Sequence, residues 1–168
     1  MNEYEKPENA VLRAALAMPV DRWSEALVLV KQQIQLNPSS AIAFRTQGIL
    51  LKGLEDLDGA IESFKHAIQL SAKSAGSILL ELGEAYLEND QAHIACDVLG
   101  NAIEQIEMTP DPLNLQLAHL ARGVAAFDSG NRNLLDSEVA HLDDHVSYFY
   151  IDRIWNKALL LECFAEMT

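Results

Sequence analysis

Apolar residues recur along the chain with the spacing of amphipathic helices. From residue 8 to residue 142 they return every three or four positions, and most positions between them are polar or charged. A period near 3.6 residues indicates helices that bury one face. Turn residues interrupt the pattern at Pro38, and again where Asp111 is followed by Pro112, a typical N-cap and first-turn proline. The pattern predicts an all-α protein that needs no strand.

The predicted helices cover most of the chain. A length of 168 residues is enough to bury a continuous core without disulfides or metal ions, so we expect residues 1–168 to form a single domain. The helices are predicted at residues 8–18, 21–36, 41–53, 57–70, 75–88, 91–106, 113–128, 132–142 and 147–165.

A repeat of 34 to 35 residues organises these helices. Gly83 lies 35 residues after Gly48, and Ala26 lies 34 residues before Ala60. The repeats cover approximately residues 7–40, 41–75, 76–109 and 112–145. Large and small residues alternate at matching positions of the middle two repeats, namely Phe44, Gly48, Leu51, Ala60, Phe64 and Ala67, and Leu79, Gly83, Tyr86, Ala95, Leu99 and Ala102.

Glycine in the middle of a predicted helix requires an explanation. Gly48 and Gly83 each cost a helix about 1 kcal/mol relative to alanine. Close contact with a large side chain of a neighbouring helix would offset that cost. We therefore expect each repeat to be a helical hairpin, and neighbouring hairpins to stack.

The repeat resembles that of the tetratricopeptide repeat (TPR) family, whose signature is W-x2-L-G-x2-Y, then A-x3-F, then a proline. The resemblance covers roughly residues 7 to 142. It implies a right-handed α-solenoid of antiparallel helix pairs, with residues 147–165 as a C-terminal capping helix. It is carried by Phe44, Gly48, Leu51, Ala60, Phe64 and Ala67, by Leu82, Gly83, Tyr86, Ala95 and Ala102, and by Leu36, Asn37 and Pro38.

The charge of the chain narrows the choice of partner. Acidic residues outnumber basic ones 25 to 12, which gives a formal net charge of -13 and disfavours nucleic acid and anionic membranes. The two cysteines, Cys96 and Cys163, stand in apolar helical patterns and suit a reducing compartment. The first ten residues are acidic and polar, unlike the basic and then apolar pattern of a signal peptide, and no apolar run approaches the ~20 residues of a membrane span. We expect a soluble, cytoplasmic protein.

The TPR resemblance also implies a binding surface. In that family the first helix of each repeat lines a concave groove, which would be apolar here, with basic and acidic ends. Such a groove suits an apolar or amphipathic segment of another protein. Several of these positions could instead belong to the core between repeats. The predicted groove residues are Ile42, Arg45, Ile49, Lys52, Leu80, Glu84, Leu87, Glu88, Leu120, Val124 and Phe127, with Ser77 and Leu117 at related positions.

The last predicted helix is apolar around more of its circumference than one buried stripe requires. Its apolar residues include Tyr148, Ile151, Trp155 and Leu159, which are the candidate residues for self-association. Three readings stay open for this segment: an ordinary cap, a contact in a homodimer, or an occupant of the groove.

Catalytic and metal-binding motifs are not expected. His141 and His145 are four residues apart, but the glutamate of a zinc-protease HExxH motif is missing. Neither a nucleophile motif nor a phosphate-binding glycine loop is present. We predict a non-enzymatic interaction module without cofactor or metal, acting as an adaptor or chaperone. The alternatives are a small acidic TPR chaperone of a bacterial secretion system, and a structural protein that self-associates through its C-terminal helix.

Overall fold

The computed structural model describes residues 6–71, 75–109, 111–150 and 153–167. Contacts divide the chain into two compact units, Met1–Lys73 and Ser74–Thr168, called unit 1 and unit 2 below. Unit 1 contains α1 (Ala10–Leu16), α2 (Trp23–Leu36), α3 (Ala41–Gly53) and α4 (Leu57–Leu70). Unit 2 contains α5 (Gly76–Glu88), α6 (Ala92–Glu107), α7 (Pro112–Asp128), α8 (Arg132–Val139), β1 (Ser147–Tyr150), β2 (Arg153–Asn156) and α9 (Lys157–Glu166).

In unit 1, consecutive helices pack against one another from α1 to α4. The core of the first helices combines small and branched side chains, which allows the helix backbones to approach closely. Gly48 of α3 faces the ring of Phe64 in α4, and a Cβ added at this glycine would lie 2.6 Å from Phe64 Cε1. The residues of the buried cluster are Leu12, Ala15, Ala26, Val30, Ala43 and Leu50.

Unit 2 repeats this arrangement. Helices α5, α6, α7 and α8 pack in sequence. A Cβ added at Gly83 of α5 would lie 2.5 Å from Leu99 Cδ2 of α6. The glycine and the large side chain 16 residues later thus meet in both units, as the repeat predicts. The predicted all-α class built from helix pairs is confirmed within each unit.

Side-chain caps mark the helix starts that the turn residues predicted. Ser40 accepts a hydrogen bond from the backbone N–H of Ala43, and Asp111 accepts one from that of Asn114. The predicted bounds of α3 and α4 match the observed ones. Elsewhere the differences are small: short 3-10 helices at Pro7–Asn9 and Val20–Arg22 precede α1 and α2, and α8 ends at Val139 rather than at residue 142.

The predicted helix over residues 147–165 is wrong, as is the expectation that no strand is needed. Strands β1 and β2 form an antiparallel hairpin in which Tyr148 pairs with Trp155. Aromatic and β-branched residues favour strands, and here alternation replaces the helical period: Trp155 is buried while Ile154 is exposed. The helix begins only at α9, where Asn156 Oδ1 accepts a hydrogen bond from the N–H of Leu159 at 2.9 Å.

Among the described residues, none of the helices combines the length and the apolar character that crossing a bilayer requires.

Candidate functional site

The predicted residues of α3 share one face of that helix. Ile42, Arg45, Ile49 and Lys52 follow one another at spacings of three, four and three, and all four are half-buried. Thr46, which is buried, donates its hydroxyl proton to the carbonyl oxygen of Ile42 at 2.7 Å. Unit 1 therefore presents two apolar and two basic side chains on the first helix of its second repeat.

On α5 the predicted residues divide into two groups. Leu80 and Leu87 are buried and belong to the core of unit 2. Glu84 and Glu88 are half-buried, on the same face as Glu81. The accessible side of α5 is therefore lined by carboxylates, and its leucines stabilise the fold.

On α7 the predicted residues form an apolar stripe that is half-buried at its two ends and fully buried between them. Leu120 and Val124 are fully buried, and Phe127 is half-buried on the same helical face. Leu117 continues this stripe by one turn towards the start of α7. We call Leu117, Leu120, Val124 and Phe127 the α7 stripe.

The β1–β2 hairpin packs against α7. The indole of Trp155 lies 5.9 Å from the ring of Phe127, measured between centroids, with the planes tilted by 54°. Trp155 is only 5% exposed. An aromatic side chain from an extended segment therefore sits at the end of the α7 stripe.

Helix α9 attaches the end of the chain to α7 and α8. Leu160 is fully buried, and its Cδ1 lies 2.8 Å from the position that a Cβ on Gly123 would take. The guanidinium carbon of Arg132 lies 4.3 Å from the ring centroid of Phe164, a cation–π contact. Along the chain, the hairpin lies between α8 and α9, and both of these helices pack against α7.

The candidate residues for self-association are not gathered on one accessible surface. The side chain of Tyr148 and the whole of Ile151 lie outside the described residues. Trp155 is buried and Leu159 is half-buried. The large apolar side chains that this region does expose are Ile154 and Leu161, at 60% and 49%.

A buried polar cluster in unit 2 was missed by sequence reasoning. Glu138 of α8 lies in the core, with its Oε2 2.7 Å from Nδ1 of His119 and its Oε1 accepting from Nη1 of Arg122 at 3.0 Å. The Nε of Arg122 also donates to the carbonyl oxygen of Cys96 at 3.0 Å. These bonds join α6, α7 and α8. The only sequence signal is the spacing of three between the two residues on α7.

His141, whose spacing from His145 is too weak a signal to predict a metal site, packs on His119. Its ring stacks on that of His119, with centroids 4.7 Å apart and planes at 3°, and its Nδ1 lies 2.8 Å from the carbonyl oxygen of Ser137. Within the part of the chain that the structure describes, no group of three or more His, Cys, Asp or Glu side chains is placed to hold a metal ion.

Two side chains near these helices have shifted pKa values. Burial raises the pKa of the Cys96 thiol, which keeps it protonated and consistent with a small core side chain. Partial burial, followed by repulsion from Asp90, raises the pKa of the Asp128 carboxyl at the end of α7.

Comparison with known proteins identifies the fold. No protein-family model matches the sequence, and no curated protein is significantly similar to it. Solved structures do match. YrrB, described as a TPR protein with an unusual peptide-binding site, is 22% identical with a TM-score of 0.63, over 81% of this chain and 68% of YrrB.

Two further structures have the same architecture. MamA is 18% identical with a TM-score of 0.66, over 80% of this chain and 70% of MamA. PilW, described as a widely conserved type IV pilus biogenesis factor, is 17% identical with a TM-score of 0.67, over 84% of this chain. This chain spans 61% of PilW. Together with the glycine-centred helix pairs of both units, these matches show that the chain has the tetratricopeptide-repeat fold.

Proposed function

We propose that the chain is a non-catalytic protein–protein interaction module that binds an apolar or amphipathic segment of another protein. The observation that supports this most is the α7 stripe, which already holds the indole of Trp155 beside Phe127. A face that accommodates one extended apolar segment has the shape and polarity to accommodate another. YrrB, whose fold this chain shares, is described as having a peptide-binding site, which supports the same general role.

The charges support a protein partner with basic residues for unit 2. Residues 1–73 contain eight basic and nine acidic side chains, whereas residues 74–168 contain four and sixteen. Charge complementarity then favours a basic amphipathic segment over an acidic one. The same excess of carboxylates argues against nucleic acid or an anionic membrane as partner. Cys96 and Cys163 are both buried thiols, which supports action in a reducing compartment such as the cytoplasm.

The polar groups of unit 2 support a structural role for its titratable residues. His119, Arg122 and Glu138 bind one another between helices. Adaptor and chaperone are the two roles that we propose for such a module.

A peptide selection tests the proposal. Displayed peptides that bind the full chain would be measured by fluorescence anisotropy against Leu117→Glu on the α7 stripe. The matched control is Ile94→Glu, since Ile94 is 45% exposed on α6, the second helix of its repeat. We expect Leu117→Glu to weaken binding at least about tenfold, and Ile94→Glu to leave it nearly unchanged, with circular dichroism unchanged in both. Peptides that bind regardless of Leu117→Glu would contradict the proposal.

Self-association is the second candidate. It is supported by the exposure of Ile154 on β2 and Leu161 on α9, two large apolar side chains of the C-terminal region. If they form a homodimer contact, light scattering will give twice the chain mass, and the double variant Ile154→Glu with Leu161→Glu will give the monomer mass. A wild-type chain that stays monomeric at high concentration would exclude this candidate.

A further inference from the structure

We infer that the β1–β2 hairpin is an internal ligand of the α7 stripe, and that the partner which displaces it is an extended segment carrying an aromatic residue flanked by basic residues. This inference rests on the proposed function and names the chemistry of the partner at the same surface.

The hairpin binds α7 in the way an extended peptide would. Trp155 is 5% exposed against Phe127, whereas its neighbour Ile154 is 60% exposed. Alternation of this kind means that strand β2 presents one side to α7 and the other to solvent. Recognition thus depends on alternate side chains of an extended backbone, with one aromatic anchor.

The contacts of the hairpin allow it to detach from α7 while the helices of unit 2 stay folded. Its strands have four residues each, and a two-stranded hairpin of this size is marginally stable without packing. Next to it, Lys157 Nζ lies 3.2 Å from Asp144 Oδ1, but Asp144 is 80% exposed, so this ion pair contributes little. Helix α9 is held separately, by Leu160 at Gly123 and by Phe164 at Arg132. The burial of Trp155 against Phe127 is therefore the contact that we expect a competitor to replace.

The sequence around Trp155, from Arg153 in β2 to Lys157 at the start of α9, indicates what a competitor looks like. Arg153 and Lys157 lie two residues before and two residues after Trp155. The surrounding unit has sixteen acidic and four basic residues, so basic flanks are favoured at this surface. An aromatic residue between two basic ones, in an extended segment, reproduces both features.

Hydrogen exchange of the wild-type full chain tests whether the hairpin opens by itself. The hairpin amides should exchange at least about tenfold faster than those in the middle of α7, and independently of low urea concentrations, as expected for local opening. Hairpin amides that exchange only with the whole of unit 2 would show that the hairpin is a fixed part of the core. That result overturns the inference without the use of any variant.

Competition tests the identity of the ligand. The probe is a fluorescein-labelled synthetic peptide with the sequence of residues 146–157, added to the full chain. Trp155→Ala removes the internal anchor, so the α7 stripe is open in a larger fraction of molecules and the apparent affinity for the peptide should rise at least about tenfold. Ile154→Ala, in the same strand but at an exposed position, is the matched control and should bind like the wild type.

Two changes in the sequence of the peptide provide two further tests. Replacing its tryptophan by alanine should abolish binding, and replacing its arginine and lysine by glutamate should weaken binding at least about tenfold at low salt. Equal affinity of wild type and Trp155→Ala, or indifference to these peptide changes, overturns the inference. Light scattering that shows a dimer with the hairpin exchanged between copies would assign it to a second copy instead, which also overturns it.

The two proposals fail in different ways. If library peptides depend on Leu117 but the hairpin peptide does not bind Trp155→Ala, the interaction role stands and the internal-ligand inference falls. If neither binds, both fall. Should Trp155→Ala lose its helical circular dichroism, hydrogen exchange of the wild type decides the inference alone.

Discussion

At the scale of single residues, the cluster around Glu138 is the place where unit 2 departs most from an apolar core. A carboxylate that is 3% exposed is costly to bury unless its oxygens are bonded. Here each oxygen has a nitrogen within hydrogen-bond distance, one on His119 and one on Arg122. The hydrogen bond to a carboxylate also assigns the His119 proton to Nδ1. The cluster therefore fixes the arrangement of α7 against α8.

Removing the carboxylate should destabilise the protein strongly. In Glu138→Ala, His119 and Arg122 lose their shared acceptor while remaining largely buried, so we expect a loss of about 3 kcal/mol in the free energy of unfolding. Urea denaturation measures it. Asp136→Ala, an exposed acidic position on the same helix, is the control and should change stability by less than about 0.5 kcal/mol. Equal effects of the two substitutions would show that the cluster adds nothing.

The raised pKa of Asp128 predicts that this carboxyl makes the folded chain less stable as pH rises, which is opposite to the effect of most carboxylates. Its pKa in the folded chain is raised above the ordinary value of 3.8, so its contribution to stability is complete below 3.8 and is lost as pH rises through the folded pKa. Asp128→Asn should therefore be more stable than the wild type at pH 7, by up to about 1 kcal/mol because water screens the group.

The pH course provides the check on Asp128. Urea denaturation of wild type and Asp128→Asn at a series of pH values should show the difference disappearing below pH 3.8, where the carboxyl is neutral in both states. A difference that persists there, or that has the opposite sign at pH 7, would contradict the assigned shift.

At the scale of elements, the middle two repeats each depend on a glycine that lies under a large side chain of the partner helix. Gly48 meets Phe64 between α3 and α4, and Gly83 meets Leu99 between α5 and α6. Glycine lowers the stability of an isolated helix, and the close packing of the two helices offsets this cost in free energy. This exchange explains why the glycine is useful in the middle of a helix.

Gly48→Ala should destabilise unit 1 even though alanine favours helices. The added Cβ would stand 2.6 Å from Phe64 Cε1, and this ring is fully buried, so overpacking of about 1–3 kcal/mol should exceed the gain of about 1 kcal/mol in propensity. The free energy of unfolding measures the balance. In a Phe64→Leu background the same change should cost clearly less, because the clash is relieved. If Gly48→Ala and Phe64→Leu change the free energy of unfolding additively, the cost of Gly48→Ala does not come from the contact with Phe64.

The C-terminal hairpin shows how an element can be misread from composition. Apart from Asp152 and Arg153, residues 148–155 are apolar, and the helical interpretation took them as a helix with more apolar surface than one buried stripe requires. In a strand the same residues need only one buried face, and the exposed Ile154 beside the buried Trp155 is that pattern. The packing of the hairpin on α7 selects the strand over the helix.

At the scale of the whole molecule, charge is the dominant feature. The net charge of -13 is concentrated in residues 74–168, which hold sixteen of the 25 carboxylates. Their mutual repulsion opposes folding and is only partly offset by local pairs such as Arg122 with Glu138. Each unit has its own buried core, so the cost of the charge is borne mainly by unit 2.

Salt should therefore stabilise the protein near neutral pH. Raising NaCl from about 20 mM to about 200 mM shortens the screening length and weakens the repulsion, so the melting temperature measured by circular dichroism should rise. The control is the same titration near pH 4.6, the isoelectric point, where salt should have little effect. A melting temperature that falls with salt at neutral pH would show that attractive pairs dominate.

The sequence by itself determined the repeat, the helix pairs and most helix ends. These features are local: apolar spacing sets the helices, side-chain caps such as Ser40 and Asp111 start them, and in the middle two repeats a large residue follows the glycine by 16 positions. The same locality made the α3 and α4 bounds predictable.

Only the tertiary structure decided which predicted groove residues stay accessible. Leu80, Leu120 and Val124 have the same residue types as accessible groove positions would have, but they are buried. Their burial depends on neighbours far along the chain, as Phe127 depends on Trp155 28 residues later. The bond between His119 and Glu138 spans 19 residues in the same way. Spacing along one helix carries no information about such contacts, because they form only when separate elements pack.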